Sequence, residues 1–263
     1  MIARAAQSLR LRAADAADTL RGRRDALTPP RRLAGYVGDS DFRATGAEFL
    51  AYFRDLAGLA AGDRVLEVGC GIGRMARVLA PVLCPPGSYD GFDVVASGID
   101  WCRVHYVGTA APFRFVHADL RNAAYNPNGR RAADDYRFPY NDGSFDLVLA
   151  TSVFTHLLPP IADRYLSEAA RVLAPGGRVF ATWLLLSGER RAAPPPPFRR
   201  LGAGFGPVAV ADPAVPEAAV AYDEEWLCER LAAVGLTLGA IHPGTWAGRA
   251  AASHQDIVIA RRG

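Results

Sequence analysis

The stretch Val65-Leu66-Glu67-Val68-Gly69-Cys70-Gly71-Ile72-Gly73-Arg74 decides how this chain is read. Its first half is a short apolar, β-branched run, which predicts a buried strand over 64–68. Its second half is a glycine turn that leads straight into a helical pattern over 75–83. Glycine there permits positive φ and lets a ligand come close to the backbone, and the helix start leaves N–H groups free to receive it. The spacing is G-x-G-x-G. A dinucleotide fingerprint needs glycine or alanine where Arg74 stands, because helix and strand pack closely at that point. Arg74 therefore argues against a nicotinamide dinucleotide.

Downstream, the alternation continues. A strand over 89–94 carries Asp93 at its end, 20 residues beyond Gly73, where a carboxylate can accept both hydroxyls of a ribose. A strand over 113–117 stops before Asp119, whose carboxylate can take an amino hydrogen of adenine. A fourth strand over 145–150 is almost wholly apolar, and Pro175-Gly176-Gly177 turns into a fifth over 178–184. Helical patterns cover 46–60, 97–107, 161–173 and 223–233. Strands alternating with helices imply a doubly wound α/β fold, a Rossmann-like and mostly parallel sheet covered on both faces. The last two strands, 237–241 and 256–261, have no helix between them, which predicts an antiparallel hairpin at the sheet edge. The connections 120–142 and 187–221 are longer than this architecture needs and are expected to carry function, without strong elements of their own.

Half of the 263 residues are apolar and 22% are charged, an ordinary globular composition that excludes wholesale disorder. The longest apolar run is far shorter than the roughly 20 residues of a spanning helix, so no transmembrane segment is expected. Every basic residue is arginine. Without lysine there is no Schiff base and no P-loop lysine, which excludes pyridoxal-phosphate chemistry and Walker-type nucleotide hydrolysis. The net charge of +3 is uneven, because residues 1–34 hold eight arginines against three aspartates. The expected division is a basic, Ala/Arg-rich helical arm over 1–34 and one domain over 35–263. Ile2, Ala6, Leu9, Ala13, Ala16 and Leu20 fall on one helical face of the arm. The face is mostly alanine and would anchor poorly, so the arm is expected to pack on the body or to fray, with contact to an anionic surface or a partner as the alternative. The nearly neutral body argues against nucleic acid. Cys70, Cys84, Cys102 and Cys228 stand at neither zinc nor disulfide spacing, so no metal site is expected. The start shows no secretory signal pattern, and a reducing, cytoplasmic setting is the expectation.

The stretches VLEVGCGIGR (65–74), YDGFDV (89–94), FVHADL (115–120), FPYNDGSFDLVLATSVFTHL (138–157) and RVLAPGGRVFATW (171–183) resemble the class I S-adenosylmethionine-dependent methyltransferases, in particular their type-11 group. The resemblance implies a seven-stranded sheet with an antiparallel last strand, and S-adenosyl-L-methionine as cofactor. It implies that Glu67, Gly69, Cys70, Gly71 and Gly73 line the methionine portion and that Asp93 holds the ribose. Val94 would flank the adenine, with Asp119 and Leu120 at its edge. Thr151 would sit near the sulfonium, and Arg74 would face the cofactor carboxylate.

Methyl transfer is an in-line displacement, and it needs a base only when the acceptor is a hydroxyl or a protonated amine. His156, just past the fourth strand, is the best-placed candidate base, because imidazole is the side chain type suited to taking a proton near neutral pH. His117 lies within a strand and reads as core; His242 and His254 bracket the final loop and could face an acceptor. Tyr125, Tyr140 and Trp246 are candidate walls of an acceptor pocket, and Trp101 a candidate cover for the adenine. The expected activity is methyl transfer to a small-molecule acceptor at oxygen, a sugar or lipid-linked compound among the options. Two alternatives stay open: a scaffold that binds the cofactor without turnover, and a nicotinamide-dependent oxidoreductase, which Arg74 and the final hairpin oppose.

Overall fold

A computed structural model describes residues 2–22, 24–34, 41–123, 125–200 and 206–263. Seven strands form the main sheet: β1 (Arg64–Val68), β2 (Ser88–Asp93), β3 (Phe113–His117), β4 (Phe145–Ala150), β5 (Leu173–Trp183), β10 (Leu236–His242) and β11 (Asp256–Arg262). Their order is β10-β11-β5-β4-β1-β2-β3. The first five pair in parallel, and β11 runs antiparallel between β5 and β10. The hairpin expected from the sequence is therefore present, with its second strand inserted and its first at the edge. The order reverses between β1 and β4. At such a switch point the connections leave in opposite directions and open a crevice above the strand ends.

Helices cover the faces of this sheet in the order in which the periodicity places them, among them α3 (Phe42–Asp55), α4 (Arg74–Leu79), α5 (Ala96–His105) and α6 (Pro159–Val172). Asp41 caps α3 by accepting from the amides of Arg43 and Ala44. Two apolar clusters pack against the sheet, one around Phe53, Tyr89 and Phe180 and one around Phe92, Phe138 and Trp183. β5 begins earlier than the sequence suggests. Its first residue pairs with Phe145, and the register then shifts, so that Leu147 faces Arg178. The Pro175-Gly176-Gly177 turn thus lies within the strand as a bulge.

The two long connections depart from expectation. The segment 187–221 was expected to lack strong elements, but it belongs to a second sheet of β6 (Leu185–Leu186), β7 (Arg199–Arg200), β8 (Val208–Val210) and β9 (Val220–Asp223), ordered β6-β9-β8-β7. Strands of two to four residues are too short to show alternation. Their signal is continuous apolarity, and Val208, Ala209, Val210, Val220, Ala221 and Tyr222 are all fully buried. A short helix α7 (Glu189–Ala192) precedes β7, and α8 (Glu224–Ala233) follows β9. The segment 120–142 has no helix or strand among its described residues, yet it sends Tyr136 and Phe138 into the core beside Phe92 and Tyr165.

The arm forms the expected helix α1 (Ile2–Leu20) and a short α2 (Arg31–Ala34). The described part of the expected face does not pack. Ala13, Ala16 and Leu20 are exposed, whereas Asp15 and Asp18 turn inward to pair with Arg24 and Arg31. Ion pairs with the following turn outweigh the small apolar gain of an alanine face. The side chains of Ile2, Ala6 and Leu9 lie outside the described residues. Asp25 meets Arg77 of α4, and Leu33 is buried against the body.

Candidate active site

Above the ends of β1, β2 and β4 lies a cavity of about 580 Å3, within the ordinary range of roughly 300–1,000 Å3 for small-molecule sites. The glycine loop forms one wall. The amides of Gly69 and Cys70 both donate to the carbonyl of Phe92, at 2.9 and 3.0 Å, and this fixes the loop to the end of β2. Gly69 has φ +69°, and a Cβ there would stand 2.6 Å from Cγ2 of Val153. Only glycine relieves both demands.

Asp93, the last residue of β2, is organised by the same loop. Its Oδ2 accepts from the amide of Gly71 at 2.8 Å and its Oδ1 from that of Val95 at 2.8 Å. A carboxylate offers about four acceptor sites, so each oxygen retains capacity for a ligand hydroxyl. Burial raises the Asp93 carboxyl from its ordinary value, against these amide bonds. Glu67 lies one residue before the end of β1 and is buried; the hydroxyl of Tyr89 donates to its Oε2 at 2.5 Å. Burial pushes its carboxyl up to about 8, against the Tyr89 bond, and the charge of Asp93 adds to the rise. Arg74 opens α4 at the cavity wall, where burial lowers its guanidinium, against Glu67 and Asp41. One end of the cavity thus presents two carboxyls, a guanidinium and a glycine backbone.

The other end is assembled from distant segments. Thr151 and Ser152 follow β4, and Ser152 holds φ +55°, a left-handed conformation uncommon for a side chain with a Cβ. Its amide donates to Thr182 Oγ1 at 2.7 Å and its hydroxyl to Gln255 Oε1 at 3.1 Å. Thr182 Oγ1 donates to the same Gln255 oxygen at 2.5 Å. These contacts lock the ends of β4, β5 and β11 together. The short 3-10 turn Phe154–His156 then brings His156 to the wall, with Nδ1 3.0 Å from the carbonyl of Glu217 and Tyr125 packed edge-on at 5.8 Å. Ser253, His254 and Gln255 complete this end from the loop before β11, while α3, whose Gly46 lies against Arg74, adds Thr45, Glu48 and Phe49 beside the first end.

Of the residues singled out in the sequence, the structure brings Glu67, Gly69, Cys70, Gly71, Arg74, Asp93, Val94, Leu120, Tyr125, Thr151, His156 and His254 to this cavity. Others lie elsewhere. Gly73 sits behind the loop as the cap of α4, beneath Tyr106 and Cys102. Asp119 turns outward to Arg130 and Asn126, held below the usual carboxylate range by the hydrogen bonds from those two residues. Both bonds tie Asp119 to the loop 120–142. Tyr140 packs edge-on against Phe145 at 5.0 Å. Trp246 donates to Asp256 at 2.6 Å and rests against Phe198, just before β7. Trp101 stacks on His105, and His117 bonds to the carbonyl of Val94. His242 is not at the wall. The contributions of α3, Arg121, Asn122, Ser152, Ser253 and Gln255 were not foreseen. Ser152 lies inside the stretch that carried the resemblance, but a positive φ on a non-glycine residue leaves no mark in a sequence. No group of three or more His, Cys, Asp or Glu able to hold a metal occurs among the described residues.

Comparison with known proteins agrees with this geometry. Residues 66–181 match the family model described as a methyltransferase domain. The chain is 40% identical over 116 residues to a fatty-acid O-methyltransferase of Mycolicibacterium smegmatis, covering 44% of this chain and 35% of that protein. It is 36% identical over 129 residues to a phthiotriol/phenolphthiotriol dimycocerosates methyltransferase of Mycobacterium ulcerans, covering 49% and 40%. The chain therefore spans well under half the length of these relatives. A solved structure of the Burkholderia thailandensis 1,6-didemethyltoxoflavin-N1-methyltransferase, with its acceptor and S-adenosylhomocysteine bound, superposes with a TM-score of 0.54 at 18% identity, over 97% of this chain and 88% of that one. The match to the methyltransferase-domain model runs from β1 to β5, across the strands that carry the cavity.

Proposed function

We propose that the chain transfers a methyl group from S-adenosylmethionine to an oxygen of a small molecule. The observation that carries this reading is the continuity of one cavity from Asp93 and Glu67 at one end to Ser152 and His156 at the other. The residues fit the cofactor. Asp93 keeps acceptor capacity on both oxygens for a ribose, and Val94 and Leu120 offer apolar contact for a purine. The adjoining Glu67 and Arg74 suit the two charges of an amino acid. The glycine loop leaves space that a Cβ at Gly69 would disturb.

When bound, the cofactor supplies a methyl group already activated on a sulfonium. The protein's part is then mainly alignment, which can lower a barrier by roughly 7–11 kcal/mol in favourable systems. Thr151 and the Ser152–Thr182–Gln255 network would set the position of the acceptor relative to the methyl group, because they fix the backbone between the two ends. His156 would take the proton of a hydroxyl acceptor. Phe49, Leu157 and Ile161 supply apolar surface at the same cavity, which suits an acceptor with a hydrocarbon portion. The naming of one relative as a fatty-acid O-methyltransferase supports oxygen and a lipid-like acceptor.

Calorimetric titration tests the reading. Wild type should bind S-adenosylmethionine and S-adenosylhomocysteine in the micromolar range and fail to bind NAD. Asp93→Ala should lose both sulfur ligands. A folded wild type that binds neither sulfur compound removes the basis for the activity. Conversion of the cofactor to S-adenosylhomocysteine in the presence of medium-chain fatty acids, followed by chromatography, tests the acceptor class. Turnover with amines alone would overturn the oxygen assignment.

A further inference from the structure

We infer that the turn Pro216–Ala218, at the tip of the second sheet, is a positioning element that fixes the protonation pattern of His156 through Glu217. Three observations meet at that residue. The carbonyl of Glu217 lies 3.0 Å from Nδ1 of His156. Its carboxylate accepts the amide of Ala123 at 3.2 Å, which ties the same turn to the loop 120–142. Tyr125, two residues further along that loop, packs edge-on against the His156 ring. Three segments far apart in sequence are thus joined through one residue at the cavity wall.

The chemistry follows from the acceptor's nature. A carbonyl oxygen has no proton to give, so Nδ1 of His156 must be the donor. In the neutral ring the second nitrogen, Nε2, then carries the lone pair. Nε2 has no protein partner among the described residues, while the ring lines the cavity. A free imidazole interconverts between tautomers. Here the carbonyl of Glu217 selects the one that leaves a basic nitrogen available, and contact with Glu217 and Tyr125 on two sides stops ring rotation. Glu217 itself is not a catalytic residue, since it acts through His156 and through Ala123. The assignment deepens the proposed activity and rests on it only for its catalytic consequence, because the ring geometry stands whatever the acceptor is.

The test is a long-range proton–nitrogen correlation spectrum of the nitrogen-labelled full chain at pH 8, with His156→Gln used to assign the ring. The expected wild-type pattern is a protonated Nδ1 and an acceptor-type Nε2. Glu217→Gln keeps an oxygen for the Ala123 amide and should preserve that pattern. Glu217→Ala should shift the ring nitrogens toward the averaged values of a mobile imidazole while keeping S-adenosylhomocysteine affinity within about twofold of wild type. A wild-type ring protonated at Nε2, or an averaged one, overturns the inference even if the variants fail to fold. Ring signals in Glu217→Ala identical to wild type overturn the part assigned to the Glu217 side chain. Failure of wild type to bind S-adenosylhomocysteine breaks the activity reading instead and leaves the tautomer result standing.

Discussion

The two ends of the cavity are built by opposite strategies. The end that faces Asp93 takes its wall chiefly from one short stretch, 67–98, in which a strand, a turn, a helix and the next strand follow each other directly. Its polar contacts are local or cross a single strand pair. The opposite end takes its wall from Tyr125 of the segment 120–142, the residues after β4 and the loop before β11, with the turn before β9 holding His156 from behind. Ligand recognition by a nearly contiguous motif survives changes elsewhere in the chain. A site assembled from remote segments depends on the residues that tie those segments together.

The largest expected effect tests that dependence. Asp256 is fully buried and accepts from the amides of Leu185 and Gly244, each at 2.7 Å, and from Trp246 Nε1 at 2.6 Å. It joins the start of the second sheet to the loop before β11. Asp256→Ala leaves three donors unsatisfied, at about 1–3 kcal/mol each before relaxation. Urea unfolding should show a loss of about 4 kcal/mol, while the protein that remains folded keeps its S-adenosylhomocysteine affinity within about twofold. A loss of cofactor affinity as large as the loss of stability would break the separation between the two ends.

Asp93→Ala should give the reverse. Loss of a buried charged acceptor to two ligand hydroxyls should cost about 3 kcal/mol of binding, roughly 100-fold in affinity, with a smaller change in unfolding free energy. Calorimetry beside a denaturation curve separates the two quantities. Gly69→Ala comes next. The left-handed backbone costs a non-glycine residue about 1–2 kcal/mol, and the new Cβ would meet Val153 Cγ2 at 2.6 Å. The expected result is about a tenfold weaker affinity, partly recovered by adding Val153→Ala. The second change removes the contact and leaves the φ penalty in place. Full recovery would show that the contact alone matters.

How much of this was legible in the sequence follows the same division. β1, the glycine loop and Asp93 are short-range features, and their order along the chain is their order in space. The reversal at the end of the sheet was legible because no helix separates the last two strands. The second sheet was not, since two-residue strands such as Leu185–Leu186 have no periodicity to read. Asp119 shows a different limit. Its position after β3 is the one expected, but its direction is set by Arg130 and Asn126, which lie beyond it in an irregular loop. Trp246 was read as a pocket wall for the lack of any sign that Asp256, ten residues on, would claim its indole N–H. Aromatic residues announce that they will be buried, not against what.

The pH dependence of stability sharpens the comparison further. At the cofactor end, burial pushes Glu67 up to about 8 from 4.5. At the far side of the sheet, Glu168 of α6 helps hold the segment 120–142 by accepting from the amide of Phe138 at 2.8 Å. Burial there acts to raise the carboxyl, but the hydrogen bonds from Arg171 and Phe138 outweigh it and hold Glu168 below its ordinary value. The two carboxyls therefore have opposite linkage. The folded chain keeps a proton on Glu67 that the unfolded chain has released. The contribution of Glu67 is accordingly complete below about pH 4.5 and is lost as pH rises to about 8. Glu168 contributes above its unfolded value, and its share is lost as pH falls into the acid range. Measured against Glu67→Gln, wild-type stability should decline with rising pH between 4.5 and 8 by at most about 1.4 kcal/mol per unit. Measured against Glu168→Gln, it should decline with falling pH below about 4.5. Parallel stability curves for wild type and Glu67→Gln across the neutral range would mean that Glu67 is ionised in the folded chain. The cofactor end would then hold a full negative charge before any ligand arrives, rather than a carboxyl that a cationic ligand must deprotonate.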